Sequence, residues 1–145
     1  MKYFVKSQRE IVRGGTMELK KGLVCEISEE VTLNNTASAL GSGGIDVYAT
    51  PAMIALMEKS AMNAVQPALE DGLSTVGTMV NIKHMAATPV GMTVTAKAEL
   101  IEVLEKRLLF KVEAFDGKDK IGEGTHERFI IGVEKFISRV NAKKV

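Results

Sequence analysis

Three side chains in this sequence have the types and spacing for acid–base chemistry on a bound ligand: Thr50, Glu58 and His84. Glu58 is the most telling. It lies in the run Tyr48-Ala-Thr-Pro-Ala-Met-Ile-Ala-Leu-Met-Glu-Lys-Ser-Ala-Met-Asn-Ala-Val65, and residues 51–57 ahead of it carry no polar side chain. A helix apolar on nearly every side is expected to be buried. A carboxylate on such a helix is costly unless it is paired, hydrogen-bonded or used. Thr50 precedes Pro51, so it is expected to be the N-cap of this helix, with Pro51 at the first helical position. Capping alone would explain Thr50; a reacting hydroxyl is the competing role.

Eight residues separate Thr50 from Glu58, which is roughly 12 Å of helical rise and about 80° of rotation. The hydroxyl and the carboxylate are therefore not expected to touch. A histidine, a water or the substrate must lie between them, and His84 is the available candidate, donated within the chain or across a dimer interface. In the strand Val76-Gly-Thr-Met-Val-Asn-Ile-Lys-His-Met85 a period of two sets His84 on the face of Val76, Val80 and Ile82. A core histidine bonded to a core glutamate is the structural alternative. Behind Pro51, which has no N–H, the backbone N–H groups of Ala52 and Met53 are candidate donors to developing negative charge. Gly77, inside a strand, permits close approach of a ligand to the backbone, or marks a bulge.

Other chemistry is weakly represented. His126 and Arg128, in Gly122-Glu-Gly-Thr-His-Glu-Arg-Phe129, read as an interface network or a strand edge in preference to a catalytic pair. No cluster of Cys, His and carboxylate has metal spacing, so no metal is expected. Gly41-Ser-Gly-Gly44 is neither a phosphate loop nor a dinucleotide fingerprint. The segment 34–46 around it is a lid or a plain connection. The lone Cys25 reads as a small buried hydrophobe.

The 145 residues have a formal net charge of +1 and no Trp. That gives no electrostatic or stacking case for nucleic acid or an anionic membrane. One cysteine allows no internal disulfide, no apolar run approaches a membrane span, and the first ten residues lack a signal-peptide core. A cytoplasmic protein of one domain, 1–145, is expected.

The helix is expected from Thr50 to about Gln66, where Pro67 interrupts it. A strand at Leu23–Val31 precedes it. Strands at Thr75–Met85, Met92–Leu100, Leu108–Phe115 and about Lys120–Glu134 follow, with turns at Thr88–Gly91 and Asp116-Gly117. One helix among antiparallel strands is buried only if the sheet wraps around it. That is an α+β hotdog fold, a curved antiparallel sheet around a long central helix; an open α+β sandwich is the alternative. Pairing into a dimer would cover the free sheet edge.

Taken together, the chain resembles the fluoroacetyl-CoA thioesterase family of hotdog proteins. The resemblance rests on Ala49-Thr-Pro-Ala-Met-Ile-Ala-Leu-Met-Glu-Lys-Ser-Ala61, on Gly77-Thr78, and on Lys83-His-Met-Ala-Ala-Thr-Pro-Val-Gly-Met-Thr-Val-Thr95. Asp116-Gly117, Gly124-Thr-His-Glu-Arg128 and Glu134-Lys-Phe136 complete it, so that it spans roughly residues 40–140. It implies a catalytic set on Thr50, Glu58 and His84, with Gly77 near the acyl end. It also implies hydrolysis of an acyl-CoA to a carboxylic acid and CoA, with no cofactor beyond the CoA of the substrate, in a homodimer or higher homo-oligomer. Fluoroacetyl-specific members carry phenylalanines in a lid ahead of the helix. Gly41-Ser-Gly-Gly-Ile-Asp46 has no aromatic there, so a small or medium acyl group is the expected substrate. A non-catalytic acyl-CoA binding module is the first alternative, and an enoyl-thioester hydratase the second.

Overall fold

The structure, a computed structural model, describes residues 4–7 and 17–144. The Gly14-Gly15 pair, a turn signal in the sequence, lies outside them. Helix α2, Thr50–Val65, buries Ala52, Met53, Leu56, Met57, Ser60, Ala61, Ala64 and Val65. Their three- and four-residue spacing makes one broad apolar face. It packs on five strands: β2 (Val24–Glu30), β3 (Leu73–His84), β4 (Thr93–Leu104), β5 (Arg107–Phe115) and β6 (Lys120–Gly132). Cys25, Ile27, Val94, Ala96, Ala98, Leu100, Phe110, Val112, Ala114 and Ile121 are all essentially inaccessible. Ala96 and Ala98 in β4 and Ala114 near the end of β5 let the helix backbone approach the sheet. Cys25 is a core residue, and burial holds its thiol pKa up.

The six strands form one antiparallel sheet in the order β1-β2-β4-β5-β6-β3, with β1 at Phe4–Ser7 and β3 at Leu73–His84. Among the described residues the sheet thus begins and ends on β1 and β3, and β3 has one long edge unpaired. This corrects the strand-edge reading of His126 and Arg128: β6 is flanked by β5 on one side and β3 on the other. A second correction concerns the face of β3. Gly77 pairs with Arg128 while Met79 pairs with Glu127, so the register slips at Thr78. That bulge reverses the parity. Thr75 and Gly77 share the inward face with Val80, Ile82 and His84, and Val76, opposite the exposed Phe129, points outward.

The elements at two ends differ from expectation. The segment ahead of α2 contains a short helix, α1 (Ala37–Leu40), capped by Thr36 Oγ1 and ended by Gly41 in the left-handed region at φ 73°. The last strand stops at Gly132, and Val133–Asn141 forms helix α3, whose Val133, Ile137 and Val140 are exposed among the described residues. Proline acts as expected: Gln66–Ala68 is a single 3₁₀ turn that closes α2.

The β3–β6 pairing holds His84 in place, and Gly124 makes it possible. A Cβ there would stand 2.0 Å from the Asn81 carbonyl oxygen and 2.9 Å from Ile82 Cα. Gly124→Ala should therefore cost about 1–3 kcal/mol and lower the melting temperature by several degrees. An unchanged melting curve would show that the two strands do not pack as described.

Candidate active site

Two groups of polar side chains sit along α2. The first is at its N-terminal end, where Thr50 Oγ1 and His84 Nδ1 are 2.7 Å apart. The expectation that Thr50 is the N-cap is corrected here. Ala49 is the cap residue, it makes no side-chain cap bond, and Thr50 is the first helical residue. The reason is upstream. The Tyr48 N–H donates to the Thr88 carbonyl at 2.8 Å and the Ala49 N–H to the Asn35 carbonyl at 3.0 Å. The Tyr48 hydroxyl donates to Glu29 at 2.7 Å, and Asn35 Nδ2 holds the other oxygen of the same carboxylate at 3.2 Å. Glu29, Asn35 and Tyr48 are all buried. The chain enters the helix already pinned by its backbone, which frees the Thr50 hydroxyl. The Tyr48–Thr88 bond also ties the segment before Thr50 to the segment after His84. Thr88 is itself bonded to Asp116 at 2.7 Å.

Of the backbone donors, the Met53 N–H is committed to the Ala49 carbonyl at 3.0 Å. Its role as a free donor is thereby corrected: the first N–H groups of a helix have no partner in the helix, and Met53 is already past them. Ala52 lies within that first turn. The Met53 side chain is core, fully buried against Gly122.

His84 Nε2 is buried and has no hydrogen-bond partner among the described residues. Loss of hydration lowers the imidazole pKa from its ordinary 6.5, against a smaller opposing pull from the Ala86 carbonyl. A neutral ring with its proton on Nε2 presents Nδ1 as an acceptor for the Thr50 hydroxyl.

The second group surrounds Glu58. The expectation of a buried acid is corrected: its side chain is 41% exposed. Within one chain the sheet leaves a stripe of α2 open at Pro51, Ala55, Glu58 and Met62, all exposed or half-buried. Arg128 Nη1 lies 3.8 Å from the Glu58 carboxylate, and the Arg128 side chain is only 7% exposed. Its Nε and Nη2 donate to Thr75 Oγ1 at 2.7 Å and to the Thr75 carbonyl at 2.8 Å. Its Nη1 donates to His126 Nε2 at 3.2 Å. His126 Nδ1 donates to the Met79 carbonyl at 2.7 Å, which fixes the neutral tautomer. Burial lowers the His126 pKa; the Met79 carbonyl opposes this and the Arg128 charge reinforces it. Burial also lowers the Arg128 pKa, with Glu58 opposing. Gly77 faces this group. A Cβ there would stand 3.0 Å from Glu58 Oε2 and 3.2 Å from His126 Cε1, so a side chain would crowd the carboxylate.

The structure therefore joins Thr50 to His84 and Glu58 to Gly77, but no hydrogen bond or ion pair among the described residues joins Glu58 to His84. Arg128 and His126 were missed as site residues. Their period-two spacing was visible, and what hid them was the reading of β6 as an edge.

A model of the fluoroacetyl-CoA-specific thioesterase family matches residues 31–134. This chain belongs to that family. A fluoroacetyl-CoA thioesterase from Streptantibioticus cattleyicolor is 48% identical over 98 residues, 68% of this chain and 70% of that one. A solved structure of a fluoroacetyl-CoA thioesterase superposes with a TM-score of 0.82 at 38% identity, covering 88% of this chain and 98% of its own. A thioesterase superfamily member from Thermus thermophilus gives a TM-score of 0.80 at 28% identity, covering 86% and 93%. The family and the hotdog fold expected from the sequence are both borne out. Among the described residues no helix is long and apolar enough to cross a membrane.

The electrostatics of His84 lead to a direct check. Its ring protons, followed by NMR across a pH titration, should report a midpoint below the ordinary 6.5. The ring would be neutral at pH 7 and would gain its proton only as pH falls. A midpoint above 6.5 would mean that the imidazolium is stabilised and cannot serve as the resting base.

Proposed function

We propose that this protein is an acyl-CoA thioesterase that works as a homodimer, each site taking Thr50 and His84 from one protomer and Glu58 from the other. The observation that carries the chemistry is the 2.7 Å contact between Thr50 Oγ1 and His84 Nδ1. Nδ1 accepts the hydroxyl proton as Oγ1 attacks the thioester carbonyl. The oxyanion forms at the start of α2, where the Ala52 N–H and the helix dipole favour negative charge. The C–S bond breaks, the CoA sulfur takes the proton from the imidazole, and an acyl-Thr50 ester is left. Water, deprotonated by the same imidazole, then cleaves that ester and returns the proton to Thr50. No step calls for a metal or a redox cofactor.

Two features support the dimer. Among the described residues, the twelve-residue strand β3 has a free edge, exposed from Gly77 to Asn81, with Met79 37% and Val80 44% accessible. Such an edge calls for a partner strand. The open stripe of α2 is apolar except for Glu58. Two β3 strands pairing antiparallel about Val80 would set His84 of one protomer opposite residues 75–77 of the other. Gly77 adjoins Glu58, so the carboxylate of the partner subunit comes within reach of the unpartnered His84 Nε2. A threonine, histidine and carboxylate then form a relay in which the acid orients the ring and stabilises its charged form. Arg128, 3.8 Å from that carboxylate within its own chain, holds it in place. The free, buried Cys25 supports a cytoplasmic setting.

CoA release should fall by about a hundredfold or more in His84→Ala, and by a similar factor in Thr50→Ala. Thr50→Ser should keep much of the activity, since it keeps the hydroxyl. Thiol release from acetyl- and butyryl-CoA at equal concentrations of folded protein measures it. His84→Ala within tenfold of the parent would contradict the mechanism.

A further inference from the structure

The chain has two histidines, and the mechanism above uses only His84. His126 is buried in the middle of β6, opposite Phe110 of β5 and Val80 of β3. A buried imidazole needs a partner for each ring nitrogen, and here each has one. Nδ1 lies 2.7 Å from the Met79 carbonyl, which can only accept, so Nδ1 carries the ring proton. Nε2 lies 3.2 Å from Arg128 Nη1, which can only donate, so Nε2 presents its lone pair. A second ring proton would set an N–H against the guanidinium. Burial, the largest influence, disfavours that proton, as does the Arg128 charge. The Met79 carbonyl and the charges of Glu58 and Glu127 act the other way without restoring the ordinary pKa.

Arg128 needs this bond. Its Nε and Nη2 both donate to one residue, the hydroxyl and the carbonyl of Thr75. A planar guanidinium anchored along one edge can still tilt about that edge. The bond from Nη1 to His126 supplies the third point and fixes the plane. Nη1 is also the nitrogen that faces Glu58, at 3.8 Å. One of its N–H bonds is spent on His126, and the other is left for the carboxylate. The three side chains converge on Gly77, where a Cβ would stand 3.0 Å from Glu58 Oε2, 3.2 Å from His126 Cε1 and 3.5 Å from Arg128 Nη1.

We infer that His126 is a positioning residue of the active site: as the neutral Nδ1–H tautomer it orients the Arg128 guanidinium, and through it the Glu58 carboxylate. The inference rests on the thioesterase reading and on the place of Glu58 in it. His126 acts at one remove from the reacting atoms. Its other bond, from Nδ1 to the Met79 carbonyl, pins β3 beside the bulge at Thr78 and is a purely structural role. The two roles use different ring nitrogens, so substitution can separate them.

The test is the kinetics of CoA release from acetyl-CoA by the parent, His126→Gln and His126→Asn. Glutamine can place a carbonyl oxygen where Nε2 stands and accept from Arg128. Asparagine can place an amide N–H where Nδ1 stands and bond Met79, but it is too short to reach Arg128. His126→Gln should keep kcat within about threefold of the parent, and His126→Asn should lose about tenfold or more in kcat with KM changed by less than about twofold. The reverse order, equal losses in both, or parental activity in both overturns the inference and leaves the thioesterase reading intact. A second measurement needs no His126 variant. Proton–nitrogen correlation spectra of the imidazole rings of the folded parent at pH 7, assigned by the signals lost in His84→Ala, should show His126 as the Nδ1–H tautomer. An Nε2–H or doubly protonated His126 overturns the inference even where the variants fail to fold. Absence of hydrolysis by the parent overturns the thioesterase reading and this inference with it.

Discussion

Helix α2 begins without a side-chain cap, and the organisation of the site depends on that. A threonine at a helix start ordinarily spends its hydroxyl on the backbone N–H groups of the first turn. Here the entering chain is held instead by Tyr48 and Ala49, through bonds to Thr88, Asn35 and the buried Glu29. The Thr50 hydroxyl is left to meet His84. The same Tyr48–Thr88 bond fixes both segments against each other, so the contact between hydroxyl and imidazole is set by backbone geometry. A buried Glu29 fits this picture because both of its oxygens accept hydrogen bonds.

The rest of the fold supplies a floor and a second polar group. Alanines in β4 and β5 let α2 lie close to the sheet, and Gly124 lets β3 and β6 pair tightly behind His84. The bulge at Thr78 turns Gly77 inward beside Glu58. Arg128, bound on two sides by Thr75 and on a third by a neutral His126, offers its remaining charge to the Glu58 carboxylate. Each of these is a local solution, and together they leave the acid and the imidazole on separate stations of one chain. Symmetry is the economical way to bring them together.

Much of this was legible in the sequence. The apolar run 51–57 and Pro51 announced the helix, and alternation announced the strands that follow it. Helical rise ruled out direct contact between Thr50 and Glu58, and the structure agrees. Three things were not legible, each for a physical reason. The cap role of Thr50 depends on bonds from Tyr48 and Ala49 to residues far away in sequence. The face of Val76 depends on a bulge, which a strict period of two cannot see. The burial of Arg128 depends on β6 being interior, and strand order in a sheet is a matter of tertiary pairing. The exposure of Glu58 belongs with these, because an apolar helix cannot say whether its last side is covered by its own chain or by another.

The central claim is that the site is shared between protomers, and mixed dimers test it most directly. Thr50→Ala and Glu58→Gln proteins, each inactive alone, are unfolded together and refolded so that their subunits mix. A mixed dimer then holds one site with both lesions and one with neither. The account predicts that acyl-CoA hydrolysis recovers to roughly a quarter of the parent rate, since about half of the dimers are mixed and each carries one intact site. A rate no higher than the sum of the two variants assayed apart would place Thr50, His84 and Glu58 in a single protomer and contradict it.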